Sequence, residues 1–442
     1  MKPQKAEDVQ ELVKDLGIKF IRLQFTDPDG VLKNVAITAE QLEKALGGEF
    51  MFDGSSIEGF ARIEESDMYL VPDPATFAVF PWRPRNGGVA RLICDVYLPD
   101  GKPFPGDPRQ VLRRMTAQAA ELGYRFMVGA EAEFFLFHLD AAGRPTLTTH
   151  DGAGYFDLTP ADLGENARRE IIITLEQMGF EVEASHHEVA PGQHEIRIRY
   201  DEALAMADKI VTFRLVVRAV AQRHGLHATF MPKPLSGAAG SGMHISQSLF
   251  RGGQNVFHDP YAPDELSRQA LHYLGGLLRH ARGFTAVTNP LTNSYKRLVP
   301  EFEAPTCVTW AFENRSPLVR VPAPRGELTR LELRSPDPCC NPYLALAVVL
   351  AAGLDGLNGE MMPPPCEENL CAFNDAVLRE RGIERLPEDL REALDLMRQD
   401  SLVRDVLGEH IYSRFLAARE AEWNRYRIQV HPWEQREYLT KF

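Results

Sequence analysis

Apolar and polar residues recur along this chain with two periods, and the switches between them mark out its elements. Residues 6–16 repeat at helical spacing and predict an amphipathic helix. KFIRLQFTD (19–27) alternates with period two, reaches a PDG turn and continues into VLKNVAI, which predicts a β-hairpin. A helix over 39–46, an exposed loop over MFDGSSIEGF and a strand over RLICDVYL (91–98) follow. Four prolines between Pro99 and Pro108 predict a domain boundary, placed at 104/105. Beyond it, helices are expected at 108–122, 165–178, 202–224, 264–282, 341–357, 388–398 and 411–425. Strands are expected at 126–138, 181–188, 194–200, 227–231, 243–250 and 328–334. The mixture is α+β and does not have the strict alternation of a doubly wound sheet.

Composition narrows this picture only a little. The 442 residues suit two or three domains at about 150 residues each. A net charge of -13 opposes nonspecific binding to nucleic acid or to anionic membranes. Cys94, Cys307, Cys339, Cys340, Cys366 and Cys371 form no CxxC pair, which argues against a zinc ribbon and suits a reducing compartment. The charged N-terminus has no signal-peptide core, and the apolar run from Tyr343 to Leu354 is too short to span a bilayer. The expectation is a cytoplasmic protein with no membrane or nucleic-acid partner.

Candidate chemistry lies in scattered carboxylates. Glu131 and Glu133, two apart in AEAEFFLF, share one face of a strand. A solvent-facing edge would show the same spacing, so the pair alone decides nothing. Glu188 and Glu195 flank a Pro191-Gly192 turn that folds them together, with His186, His187 and His194 crowded alongside. His244 opens a strand after GSG, and Glu332 sits between Arg330 and Arg334 in RLELR, a pattern that a surface ion-pair ladder would also give. Taken together, five carboxylates and one imidazole favour Mg²⁺ or Mn²⁺ over zinc or copper. Two such ions suit phosphoryl transfer. Arg297, Arg315, Arg320, Arg330 and Arg334 concentrate in one segment of an acidic protein, as expected for gripping phosphate and carboxylate. No GxxxxGK[ST] occurs, so no P-loop holds the nucleotide.

The ordered motifs FDGSSIEGF, EAEFFLF, HHEVAPGQHE, MPKP, GSGMH, NSYKRLVP, EAP, NRS and NPYLALA resemble those of type I, bacterial-type glutamine synthetases, from about residue 10 to the C-terminus. The resemblance implies an N-terminal β-grasp domain (1–104), and a catalytic domain (105–442) with an antiparallel sheet, helices and a C-terminal tail docking between rings. It implies a dodecamer of two hexameric rings with active sites between adjacent subunits. It further implies ligation of ammonia to glutamate through γ-glutamyl phosphate, with ATP as substrate and two or three Mg²⁺ or Mn²⁺ ions per site. One ion would be held by Glu133, Glu188 and Glu195, the other by Glu131, His244 and Glu332. Glutamate would meet Arg297, Arg334 and Gly240. Phosphate would meet Arg315, Arg320 and Arg330, and the nucleotide Glu183, Tyr200 and Ser248. Asp53, from a neighbouring subunit, would deprotonate ammonium in a pocket completed by Ser56, Tyr155 and Glu188. Glu303 would close a flap over the site, with Asp53, Glu303 and Arg315 the catalytic residues.

Arg62 matches the arginine tied to glutamine feedback in the shorter subgroup. No tyrosine lies between Tyr343 and Tyr412, so control by adenylylation is not expected. A nitrogen-regulatory protein is a further candidate partner. Three departures stand out. Ala239 replaces the family's asparagine before GSGMH, Glu301 replaces a glycine in the flap, and Ala130 and Ala132 replace prolines. They admit two alternatives: a γ-glutamyl ligase for a larger amine, or a low-activity regulatory paralogue that needs an activator or partner.

Overall fold

The computed structural model describes residues 3–57, 67–83, 87–300, 302–364 and 375–442. Arg62 and Glu301 lie outside the described residues.

The first unit is a sheet with helices on it. Helix α1 (Ala6–Asp15) buries Val9 and Val13, four apart, on its apolar stripe. Strands β1 (Ile18–Thr26) and β2 (Leu32–Thr38) form the expected hairpin, in register from Phe20↔Thr38 to Thr26↔Leu32. Asp27 closes its turn by accepting from the Val31 N–H at 2.9 Å. Helix α2 (Leu42–Leu46) is entered through a single 3₁₀ turn. Strands β3 (Phe50–Asp53), β4 (Asp67–Pro72), β5 (Ala78–Val79) and β6 (Gly88–Tyr97) follow. The sheet runs β2-β1-β6-β4-β3 with β5 on β6, and β1 lies parallel to β6. The first residues of MFDGSSIEGF therefore pair with β4 as β3, where the sequence suggested only loop. The turn residues dominate that stretch, while the pairing that makes its first half a strand is non-local.

The second unit packs helices against one face of a larger sheet. After α3 (Pro108–Glu121) come β7 (Arg125–Leu139), β8 (Pro145–Thr149), α4 (Glu165–Gln177), β9 (Val182–His187), β10 (Gln193–Ile198) and β11 (Asp201–Glu202). Then follow α5 (Ala203–Arg223), β12 (Leu226–Thr229), β13 (Met243–Arg251), β14 (Gln254–Asn255) and α6 (Arg268–Thr288). Strands β15 (Trp310–Phe312), β16 (Val319–Val321) and β17 (Leu331–Leu333) precede α7 (Pro342–Asn358), α8 (Asp375–Glu380), α9 (Leu390–Gln399), α10 (Ser401–Tyr426) and α11 (Pro432–Tyr438). The main path is β15-β16-β17-β13-β7-β10-β9, antiparallel except for β15 with β16. Period-two alternation explains its two faces. Val128, Ala130, Ala132 and Phe134 of β7, Ile196 of β10, Ile245 of β13 and Leu331 and Leu333 of β17 enter one hydrophobic core. The charged residues between them point the other way.

Helix α10 is longer than expected because two helical runs join at Gly408, whose φ of 72° marks a kink. Among the described residues no helix is long and apolar enough to cross a membrane. The two units are tied by a buried ion cluster. Arg109 on α3 donates to Asp208 of α5 at 3.0 and 2.8 Å, to Asp95 of β6 at 2.7 Å and to Asp73 at 2.8 Å.

Candidate active site

The polar face of the larger sheet gathers four of the five carboxylates by strand register. Glu133 on β7 lies directly opposite Glu195 on β10, and Glu131 lies opposite both Arg197 on β10 and His244 on β13. Glu332 on β17 pairs with Ser246 on β13 and with Arg320 on β16. Glu188 follows β9 and is anchored by its own N–H, which donates to the Gln193 carbonyl at 2.7 Å across the Pro191-Gly192 turn. All six side chains line one cavity with Tyr155, His186, Arg197, Glu303, Arg315, Arg320, Arg330 and Arg334.

Electrostatics divides four of the carboxylates into two kinds. Burial, followed by the charges of Glu188 and Glu195, pushes the Glu133 carboxyl up to about 7. Burial, with Glu195 and Glu303 nearby, pushes Glu188 up to about 7 as well. Burial opposes the charge of Glu131 too, but His244, Arg197 and Arg330 outweigh it and hold that carboxyl at about 2. Glu332 is likewise held low against burial by His244 and Arg334, whose Nη1 donates to its Oε1 at 2.6 Å. Arg320 Nη1 donates to the other Glu332 oxygen at 2.7 Å.

The donor set fits divalent cations. His244 Nδ1 is 3.9 Å from Glu131 Oε2 and 4.0 Å from Glu332 Oε1, too far for hydrogen bonds but spaced to share an ion. His186 similarly lies 3.4 Å from Glu188 and 3.3 Å from Glu195. Glu131, Glu195 and His244, and separately His186, Glu188 and Glu195, converge closely enough to ligate. Like-charge crowding at Glu133 and Glu188 is the strain that a cation would relieve.

A neighbouring cavity of about 260 Å³ holds Glu183, Tyr200 and Ser248, with Ser246, Gln247 and Leu328. Glu131, Arg197 and Arg330 line both cavities, so the second opens onto the carboxylate face. Its wall mixes an aromatic, small hydroxyls and apolar atoms, which suits a nucleotide base and ribose.

Two of the arginines, Arg297 and Arg334, are buried. Arg297 is buried and spends its guanidinium on backbone: Nη1 donates to the Ser335 carbonyl at 2.7 Å and Nη2 to that of Arg334 at 3.0 Å. Arg334 Nε donates to the Arg315 carbonyl at 2.9 Å, and Arg315 lines the carboxylate cavity with Tyr155. Arg297 and Arg334 join Gly240, Ala239, Phe302 and Glu303 around a smaller pocket beside Glu133 and Glu188. Gly240 has no room for a side chain, since a Cβ would lie 2.3 Å from the Pro232 carbonyl. Glu303 adopts a φ of 58°, rare for a non-glycine residue and a sign of local strain. Ala239 packs toward Phe135, Phe137 and Ala190, so an apolar contact occupies the departure from the family's asparagine.

Asp53 and Ser56 are not brought to this cavity within the chain. They lie exposed on the first unit, where Asp53 accepts from the Ser55 N–H at 2.8 Å and the Ser55 hydroxyl at 2.6 Å. These bonds hold its carboxyl below the ordinary range.

Two residues of the site were not singled out from the sequence. Gln193 Nε2 donates to Glu133 Oε2 at 2.9 Å and to the Gly240 carbonyl at 3.1 Å. Arg197 Nε lies 2.8 Å from Glu131 Oε1. Each is two residues from Glu195, so the period-two rule applied outward from that glutamate finds both.

Residues 17–99 match the model of the glutamine synthetase β-grasp domain, and 105–438 match that of the glutamine synthetase catalytic domain. The chain is 58% identical over 437 residues to a glutamine synthetase from Clostridium saccharobutylicum, covering 99% of each. It is 55% identical over 440 residues to one from Thermus thermophilus, covering 98% of this chain and 99% of the other. A solved GmaS/ADP complex matches with a TM-score of 0.88 at 32% identity, covering all of both chains.

Proposed function

This chain belongs to the glutamine synthetase family, and from that premise we propose how its residues share out the ligation of ammonia to glutamate. The activity is that of a glutamate–ammonia ligase, and the family uses a divalent metal and ATP. The reading rests on one observation above all: five carboxylates and an imidazole from widely separated segments line one cavity, which shares Glu131, Arg197 and Arg330 with the cavity suited to a base and ribose.

Glu133, Glu188 and Glu195 hold one cation, and Glu131, His244 and Glu332 hold another; Mg²⁺ or Mn²⁺ serves, with two or three ions per site. The ions neutralise phosphate oxygens and the charge that develops during transfer. Glu183, Tyr200 and Ser248 take the adenosine end of ATP. Arg315, Arg320 and Arg330 face the phosphates across the carboxylate cavity. Arg297, Arg334 and Gly240 form the glutamate end, where Arg297 orients the pocket through its backbone bonds and contributes charge. The γ-carboxylate attacks the terminal phosphorus of ATP, ADP leaves, and ammonia then displaces phosphate from the acyl phosphate. Glu303, which lines both this pocket and the carboxylate cavity, keeps water from that acyl phosphate.

Asp53 and Ser56 serve the ammonium pocket of a neighbouring subunit, alongside that subunit's Tyr155 and Glu188. Their exposure on the far unit of the chain supports this. The assembly is a dodecamer of two rings. The enzyme works in the cytoplasm, which its free thiols suit, and the division into 1–104 and 105–442 is functional. Arg62 mediates glutamine feedback.

Mixing two inactive variants, Asp53→Ala and Glu332→Gln, tests the shared site. Half of each subunit type at each position leaves about a quarter of sites with both halves intact, so about a quarter of parental activity returns. No recovery after verified subunit exchange contradicts a site built from two subunits.

A further inference from the structure

Behind the carboxylate face lies a second polar cluster, Asp151, Asp162, His187 and His194, in which every member is buried. It has the composition of a metal site, but its hydrogen bonds exclude one. Arg168 Nη1 lies 3.0 Å from His194 Nδ1. A guanidinium only donates, so Nδ1 is the acceptor and the ring proton sits on Nε2, which cannot then ligate. Both nitrogens of His187 are also engaged. Nδ1 donates to the Glu188 carbonyl at 2.7 Å, and Nε2 faces Asp151 Oδ1 at 2.9 Å.

The same Asp151 oxygen accepts from the Gly192 N–H at 2.9 Å. One carboxylate oxygen thus grips both sides of the turn between Glu188 and Glu195. Gly192 has a φ of +67° and no room for a Cβ, which would lie 2.9 Å from the Leu136 carbonyl, so the turn needs glycine here. With its carbonyl held by His187 and its N–H by Gln193, Glu188 has both backbone polar groups fixed, and its side chain is directed into the cavity.

We infer that Asp151 is a positioning residue for the reaction, holding Glu188 at the cation and ammonium sites through His187 and Gly192. The inference rests on the reading of Glu188 as a metal and ammonium ligand. Asp151 itself touches no substrate.

The test is Mn²⁺ binding to the metal-stripped full-length enzyme by calorimetry, together with the KM for ammonium and for ATP. Asp151→Ala is expected to weaken Mn²⁺ binding and raise the ammonium KM by about 10-fold or more, the usual size for loss of a group that orients a ligand. With Mn²⁺ saturating, the KM for ATP should stay within about twofold, because Tyr200 and Ser248 lie in the other cavity. Asp151→Asn, which keeps the acceptor oxygen, should restore most of both. His187→Phe fills the ring volume, removes the donor to Glu188 and should repeat the alanine result. It decides the matter if the alanine variant does not fold; if neither folds, Asp151→Leu, of similar volume and without an acceptor, is read in their place, a 10-fold loss supporting the inference and a loss under about twofold overturning it. A folded Asp151→Ala with unchanged Mn²⁺ affinity and ammonium KM overturns it. Glu188→Gln separates the two failures. If that variant loses Mn²⁺ and Asp151→Ala does not, only the positioning role falls. If neither changes, the role of Glu188 falls with it.

Discussion

Replacing Glu133 with glutamine should stabilise the metal-free protein while destroying its function. The side chain is buried beside Glu188 and Glu195, and together with desolvation these hold its carboxyl at about 7 against an ordinary 4.5. At about 1.4 kcal/mol per pH unit, the shift amounts to roughly 3 kcal/mol. Glu188 carries a matching shift from the same crowding, so the two describe one coupled cluster, and about 1–3 kcal/mol is the share to assign to Glu133. The sign follows from proton linkage. A carboxyl whose folded value is raised favours folding below pH 4.5, and that contribution is lost as pH rises through about 7. Glutamine keeps the shape and one acceptor oxygen for the Gln193 and Gly242 N–H groups, at 2.9 Å each, without the charge. In a chain this long each kcal/mol moves Tm by about 1–2 °C, so metal-stripped Glu133→Gln should melt about 2–5 °C above the parent at pH 8. The gap should narrow at pH 5. Adding Mn²⁺ should raise the parent's Tm much more than the variant's. A variant that melts at or below the parent at pH 8, or gains as much from Mn²⁺, would refute the view that like charges are held together here for a cation.

Three further outcomes follow from other parts of the molecule. Gly240→Ala drives a methyl into the Pro232 carbonyl and displaces the loop whose Gly242 N–H bonds Glu133; steady-state assays should show kcat/KM down by about 100-fold, with about 1–3 kcal/mol of stability lost in thermal melts. Arg109→Met leaves Asp208 buried without its cation and Asp95 with Arg113 alone, and urea unfolding should show a loss of about 3–5 kcal/mol; a change below about 1 kcal/mol would mean that the cluster does not tie the two units together. His280 is raised above its ordinary value because, despite burial, it bridges Asp400 at 2.8 Å and Asp355 at 2.9 Å; its contribution is complete below pH 6.5 and lost as pH rises through the folded value, so Tm measured from pH 6 to 9 should fall less steeply in His280→Gln.

Much of this was legible in the residues because the relevant signals are local. Period-two spacing put Glu131 and Glu133 on one face, and the Pro191-Gly192 turn brought Glu188 back toward Glu195. Helices α3, α4, α5 and α7 fall within a residue of their expected bounds at each end. What escaped was non-local. Strands β4, β15 and β16 are short or mixed in pattern, and only their partners across the sheet make them strands. Strand order was equally hidden, so the sequence could not show that His244 lies opposite Glu131. The anchoring of Glu188 by Asp151 bridges 37 residues and leaves no periodic trace. Arg297 shows the converse. Its type suggested a grip on a carboxylate, but nothing in the sequence showed that tertiary packing also ties each Nη to a backbone carbonyl.

The most direct measurement is phosphate release from ATP with Mg²⁺ and glutamate, comparing ammonium with a panel of larger amines at matched concentration. The account predicts turnover with ammonium, with glutamine and phosphate formed in equal amounts, and little with the larger amines. Turnover confined to a larger amine would contradict it.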